Sequence, residues 1–402
     1  MHYAACRSIV LTISLSVTLG CVALAGKLSR VETENRAAAS SGAAVMAEQH
    51  REGEFREGGF HGVAVVDQKN LWAVGLEGDL LQGSQDYVIL HSTDSGFSWT
   101  RNLLMPRSYF RDVCFQNDRT GWVVGADEQG QGLILRTTDG GRNWIRQQSN
   151  AKSTLWLVRF ISETTGWAAG RAGRVLRTTD GGGHWLSLRL PFGWLNDELK
   201  AEIRDLGFAD EANGWIVGEM GRVYQSTDGG ASWQSRSSEF TRLIKVPQPW
   251  RVDFKRVNFF NKNLGFMIAE VNDQRDPNSH PSNYLRRLLI LRTENGGRDW
   301  KVRRTIETPM FVAAQFLTQD EWWIRTASTS TLFHTTDGGK TWIQVSLTRD
   351  ARDGPLVFLN SNTGWVFSFQ SGFWFPNLLT RDGGKTWTTQ TINYITDNRT
   401  NR

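Results

Sequence analysis

Cysteine, proline and long apolar runs are scarce in this chain, and each scarcity removes a class of protein. Only 3 of the 402 residues are cysteine, and two of them, Cys6 and Cys21, lie within the first 25 positions. Cys114 is then the lone thiol of the body, so no internal disulfide is expected and stability must come from packing. No long amphipathic helix pattern is present. The histidines His61, His91, His184, His280 and His334 are scattered, with no HxxxH or CxxC spacing, so no metal site is expected. The loop Asn272-Asp273-Gln274-Arg275-Asp276 has calcium-type residues but reads equally as a polar turn. No phosphate-cradling glycine loop and no Ser-His-Asp or Cys-His arrangement can be argued, so no cofactor or catalytic residue is expected. The net charge of +5 is modest and spread along the chain, which speaks against a nucleic-acid partner.

What is abundant is tryptophan, at 18, and glycine, at 40, against 9 prolines. That profile suits many short strands joined by glycine turns around an aromatic core. Ahead of it, Arg7 is followed by an uncharged stretch from Ser8 to Gly26 that ends in Ala23-Leu24-Ala25. A positive end, an apolar run and a small-x-small site predict an export signal over 1–25. Lipid attachment at Cys21 and an uncleaved anchor are the alternatives, because Leu19-Gly20-Cys21 resembles a lipobox and the stretch is about long enough to span. Residues 26–58 read as a polar tether, 59–395 as the folded body and 396–402 as a disordered tail.

Seven segments in the body share one spelling: STDSGFSW from Ser92, TTDGGRNW from Thr137, TTDGGGHW from Thr178, STDGGASW from Ser226, TENGGRDW from Thr293, TTDGGKTW from Thr335 and TRDGGKTW from Thr380. Each is an Asp box. The residues Asp94, Asp139, Asp180, Asp228, Asn295, Asp337 and Asp382 each precede a tryptophan (Trp99, Trp144, Trp185, Trp233, Trp300, Trp342 and Trp387) by five positions. Turn chemistry explains this pattern: the Asx side chain accepts backbone N–H groups, the glycines take angles closed to other residues, and the tryptophan packs between repeats.

Upstream of each box lies a second element: Leu71-Trp72-Ala73-Val74-Gly75, Gly121-Trp122-Val123-Val124-Gly125, Gly166-Trp167, Gly214-Trp215-Ile216-Val217-Gly218, Gly265-Phe266, Trp322-Trp323 and Gly364-Trp365-Val366. Seven residues before each aromatic stands Val65, Phe115, Phe160, Phe208, Phe259, Phe316 or Phe358. Each repeat is therefore predicted as four strands, A to D, and the whole as an all-β, seven-bladed propeller of four-stranded antiparallel blades with the box between C and D. The A-to-B spacing and the box are constant, so every insertion falls on the opposite face: Leu76 to Tyr87, Ala126 to Gly132, Leu186 to Ile203, Gln234 to Lys255, Glu270 to Arg287 and Gln370 to Phe375. Variable loops on a rigid scaffold are the expected binding surface.

Basic side chains recur on that face. Arg111, Arg204 and Lys255 each stand four residues before the last residue of strand A, and Arg171, Arg174 and Arg222 lie in the B-to-C turns GRAGRV and GEMGRV. Arginine suits forked bonds to carboxylates, carbonyls or phosphates, so these six are the predicted partner-binding residues, with Arg111, Arg204 and Arg222 expected to be exposed. The competing reading pairs them with Asp112 and Asp205 as ordinary charges. A sialidase-like or other glycan-acting hydrolase is the alternative function, for which Tyr109, Asp127, Glu219 and Glu270 lie on the right face. No Arg-Ile-Pro segment accompanies them.

The cadence IRDLGFADEANGWIVGEMGRVYQSTDGGASW from Ile203 to Trp233, and its neighbour from Phe110 to Trp144, resemble the photosystem II stability and assembly factor propellers and their bacterial relatives with neuraminidase-type repeats. The resemblance runs from about Phe60 to Ile392. It implies a non-enzymatic lumenal or periplasmic factor, often membrane-attached, that binds a membrane-protein precursor through an arginine-rich face; Arg111, Arg204 and Arg222 fit that description best. A monomer and a photosystem II client are what it leads one to expect. Departures are Trp156, Val312 and Gly354 at the position of the basic residue, and the added loop from Glu270 to Arg287.

Overall fold

Each repeat folds on itself because its strands alternate in direction and short turns join strand A to B and C to D. In the computed structural model, which describes residues 8–10, 58–79, 84–188, 190–191, 202–245, 251–272, 286–308, 310–327, 331–347, 354–368, 377–390 and 393–395, seven antiparallel sheets form seven blades. The inner strands A are Gly58–Val65, Tyr109–Phe115, Leu155–Phe160, Ile203–Phe208, Arg251–Phe259, Phe311–Phe316 and Leu356–Phe358. All seven end at the residue the spacing predicts. The strands B are Leu71–Asp79, Gly121–Ala126, Gly166–Gly170, Gly214–Gly218, Gly265–Asn272, Trp322–Thr326 and Gly364–Val366.

The box works by two side chains. Its Asp or Asn accepts the backbone N–H four residues on at 2.8 to 2.9 Å in all seven blades. The hydroxyl two residues earlier (Ser92, Thr137, Thr178, Ser226, Thr293, Thr335 or Thr380) donates to that same side chain and accepts the N–H of the glycine two residues after that Asp or Asn. The hydroxyl is buried and was not given a role by the sequence pattern. A backbone N–H at the start of every box also donates to the A-to-B turn of its own blade, as Gly181 does to Thr164 O at 2.8 Å. Both conserved-length turns thus lie on one face, and the variable ones on the other.

The blades meet through aromatic wedges. The strand-B tryptophan of one blade lies under the box of the next: a Cβ at Gly182 would come within 2.7 Å of the Trp122 indole, and one at Gly230 within 2.6 Å of Trp167. Both glycines have φ near +80°, so backbone conformation and space agree in excluding a side chain. Each of the seven blade-to-blade interfaces holds one apolar cluster, including that between the last blade and the first, where Val357, Trp365 and Leu379 meet Phe60, Leu90 and Trp99. The ring is closed further by Asn393–Ile395, which runs parallel to the outer strand Ser98–Pro106 of blade 1. Ser8–Val10 pairs antiparallel with Gly58–Val65 on the inner side.

Three expectations need revision. The stretches at 76–79, 84–87, 270–272 and 286–287 are strand, because blades 1 and 5 extend their B and C strands beyond the others. Cys114 is buried and disulfide-bonded, so it is not the lone thiol expected. The link before blade 5 contains a helix, α1 (Ser237–Ile244), which buries Phe240 against Phe254 and Trp300. Apart from Ser8–Val10, the expectations for 1–25, including Cys21, for the tether up to residue 57 and for 396–402 lie outside the described residues, as does Gln370 to Phe375.

Candidate binding face

The position four residues before the end of strand A holds His61, Arg111, Trp156, Arg204, Lys255, Val312 and Gly354 in blades 1 to 7. In the first six blades the A–B ladder skips one residue, and it is always this one: Phe110 and Asp112 pair with Gly125 and Val124, for instance, leaving Arg111 between them. Such a bulge takes a side chain out of the strand's alternation and re-aims it. The last glycine of the strand-B motif makes room for it. A Cβ on Gly75, Gly125, Gly170 or Gly218 would stand 1.9, 1.7, 2.2 or 2.4 Å from the carbonyl oxygen of Gly59, Tyr109, Thr154 or Glu202, two residues before the bulge.

The bulged side chains meet across the blade boundaries. His61 Nδ1 lies 2.9 Å from Phe110 O, and its ring packs on Tyr87 and Tyr109 at 5.9 and 5.3 Å. Burial and the nearby Arg111 hold its pKa down at about 3, so it is neutral. Arg111 stacks on the Trp156 indole, its Cζ 4.0 Å from the ring centroid, and Arg204 approaches the same indole at 5.2 Å. Trp156 is therefore a bridge between the guanidinium groups of the two neighbouring blades rather than a gap in a basic row.

Beyond Trp156 the charges are paired. Arg204 Nη2 bonds Glu202 at 2.7 Å and also Glu219; Glu219 takes Arg251 at 3.0 Å, Arg251 takes Asp253 at 2.8 Å, and Lys255 bridges Asp253 and Glu270 at 3.4 and 3.0 Å. Glu270 also meets Arg286 at 3.4 Å and accepts the Phe311 N–H at 2.8 Å. Burial raises Glu202 above its ordinary range, whereas for Asp253 the effect of burial is outweighed by Lys255 and Arg251, which hold it below.

The expected exposure of the arginines is corrected by this network. Arg111 and Arg204 are only 4% and 3% exposed, because the bulge turns them along the ring onto Trp156 instead of outward. Lys255 is buried too. Arg171 remains exposed and reaches Glu202 at 4.0 Å. Arg174 and Arg222 are half-buried; Arg174 bonds Ser187 and Arg222 the Tyr224 hydroxyl. Asp112 and Asp205 do not hold Arg111 or Arg204; they bond the Val158 and Val257 N–H groups of the next blade and pair with Arg159, with Arg256 3.9 Å from Asp205. Tyr87, His61, Trp156, Glu202, Arg251 and Arg286 were missed as site members, although His61 and Trp156 share the position that singled out Arg111.

The cluster around Trp156 is rich in unused donors. Arg111 Nε, Trp156 Nε1 and the Nε and Nη1 of Arg204 are buried with no acceptor among the described residues. Arg111 also has no carboxylate partner within ion-pair distance there. Unmet buried donors of this kind each cost about 1–3 kcal/mol, which a ligand offering carbonyl or carboxylate oxygens would recover. The carboxylates proposed for hydrolysis are committed elsewhere: Asp127 to Arg146 at 2.6 Å, Glu219 to two arginines, and Glu270 to a lysine and an arginine. Glu202 and Glu219 do converge, but the Arg204 guanidinium fills the space between them, where a glycosidase places the scissile bond. Among the described residues no group of His, Cys, Asp and Glu is arranged to hold a metal ion.

The family described as Photosynthesis system II assembly factor YCF48 matches the sequence over residues 99–194 and 190–272, a narrower stretch than Phe60 to Ile392. No curated protein sequence matches the chain. Among solved structures, YCF48 bound to a D1 peptide is similar at 18% identity and TM-score 0.53, over 79% of this chain and 91% of that one. YCF48 from Cyanidioschyzon merolae is similar at 17% identity and TM-score 0.51, over 81% and 95%. A GH74 xyloglucanase from Xanthomonas campestris shares the fold at 14% identity and TM-score 0.52, over 85% of this chain and 56% of that one. With the repeat spelling, the seven closed blades and the match across blades 2 to 4 in agreement, this chain is a β-propeller that is similar, over residues 99–272, to the photosystem II assembly factor family.

Proposed function

We propose that this chain is an exported, non-enzymatic propeller that binds a segment of a membrane-protein client through the Arg111–Trp156–Arg204 cluster and assists its assembly, with photosystem II as the leading client. The observation that carries this reading is the collection of buried, unmet N–H donors around one indole, which suits an acceptor-rich peptide and offers no acid–base pair for catalysis. The solved complex of YCF48 with a D1 peptide supports the choice of client. Export rests on the leading segment, which would place the propeller in the periplasm or thylakoid lumen, near a membrane.

The test has two arms. Affinity purification from solubilised membranes of the native host is expected to recover reaction-centre subunits. Arg111→Met is expected to abolish capture while leaving the unfolding free energy within about 1 kcal/mol of wild type, because a buried cation with no ion pair among the described residues is replaced by an apolar side chain of similar length. Capture of no membrane protein, or undiminished capture by the variant, would refute the reading.

A further inference from the structure

Six large apolar side chains are exposed among the described residues: Phe97, Ile145, Leu186, Met220, Val302 and Ile343. Five of them stand in a box or within two residues of its tryptophan. Met220 alone stands on the loop face, 46% exposed, in the B-to-C turn Glu219-Met220-Gly221-Arg222 of blade 4. Its φ of +57° lies in the left-handed region that favours glycine. The matched turn of blade 3 repeats the geometry with Ala172 at φ +56°, so the conformation belongs to the turn and the long side chain belongs to Met220.

This turn is fixed. The Met220 N–H donates to Asp253 Oδ1 at 3.0 Å and the Gly221 N–H to Val252 O at 2.7 Å, both on the inner strand of the next blade. Glu219, one residue before, is the carboxylate that joins Arg204 to Arg251. An apolar side chain is therefore held in the open, in a conformation where glycine would fit better, one residue from the ionic chain that leads to the Trp156 cluster. Exposure and backbone strain each cost folding something that this position does not recover from the described residues.

We propose that Met220 is the apolar half of the docking surface, so that the client segment carries an aliphatic side chain beside the acidic or carbonyl groups it offers to Arg111, Trp156 and Arg204. This rests on the peptide-binding reading above. The occupant is an extended acidic peptide: the cluster has donors in excess, Arg111 has no carboxylate within ion-pair distance among the described residues, and an unbranched thioether adapts to varied aliphatic partners.

Two synthetic probes test it, a short glutamate-rich peptide containing one leucine and the same peptide with serine in place of leucine, titrated by fluorescence anisotropy. Wild type should bind the leucine peptide about tenfold more tightly, the scale of one buried aliphatic contact. Met220→Gly should erase that preference while melting at or above the wild-type temperature, since glycine relieves the φ strain, and Met220→Leu should retain it. A preference that survives Met220→Gly overturns the proposal. So does equal binding of both peptides by wild type that Arg111→Met abolishes, in which case the acidic-peptide reading stands alone. Binding of neither peptide by wild type overturns both.

Discussion

The two faces of the ring spend the same kinds of residue differently. On the box face, every aspartate or asparagine is anchored by a hydroxyl and a backbone N–H of its own turn, and the arrangement repeats seven times with these bonds made inside each blade. On the loop face, the side chains at one repeated position vary, with arginine in blades 2 and 4, and they are tied both within a blade, as Arg204 to Glu202 and Glu219 and Lys255 to Asp253 and Glu270, and across blades, as Arg111 and Arg204 to Trp156 and Glu219 to Arg251. Local bonding makes a residue readable and replaceable one turn at a time. Bonding across blades makes it part of a network in which one change leaves several charges unmatched.

That contrast predicts unequal costs. Arg204→Glu would set a third carboxylate beside Glu202 and Glu219 in a buried site, and the unfolding free energy from urea titration is expected to fall by about 3–5 kcal/mol. A loss below about 1 kcal/mol would mean that the loop-face network is as loose as a surface pair. On the box face, Asp180→Ala leaves the His184 N–H and the Thr178 hydroxyl without their acceptor and is expected to cost about 1–3 kcal/mol, with an unchanged melting temperature contradicting the turn mechanism.

The smallest effect expected is a pH dependence. His61 binds its proton at about 3 in the folded chain against 6.5 when unfolded, so between these values the unfolded state takes up more protons. Stability carried by the neutral imidazole is present above pH 6.5 and is lost on acidification, at about 1.4 kcal/mol per pH unit below it. Wild type and His61→Gln should therefore diverge in slope when melted across pH 7 to 5. Parallel profiles would show that the histidine is not held neutral.

The blades were legible because their determinants are local and repeated. The end of strand A, the GW element and the box lie within one repeat, and short-range sterics and hydrogen bonding fix them in the same way each time, so a spacing of seven between Phe115 and Trp122 is enough to place a turn. The closing strand Asn393–Ile395 was not legible, since its partner Ser98–Thr100 lies six blades earlier in the chain and nothing in three residues names it. The position of the site was also readable, as a shared offset from Phe115, Phe208 and Phe259. What those side chains do there was not. A bulge decides direction by skipping one residue in a ladder, and its signature in the sequence is only a glycine on the facing strand, such as Gly125 or Gly218. Whether Arg111 then meets water, a carboxylate or an indole depends on the blade beside it. The sequence by itself determined a seven-bladed ring and which face would vary, because those follow from repeat, turn chemistry and strand alternation. Only the tertiary structure decided that Arg111 and Arg204 are buried on the two sides of Trp156, because that contact joins three blades whose order in space is set by ring closure.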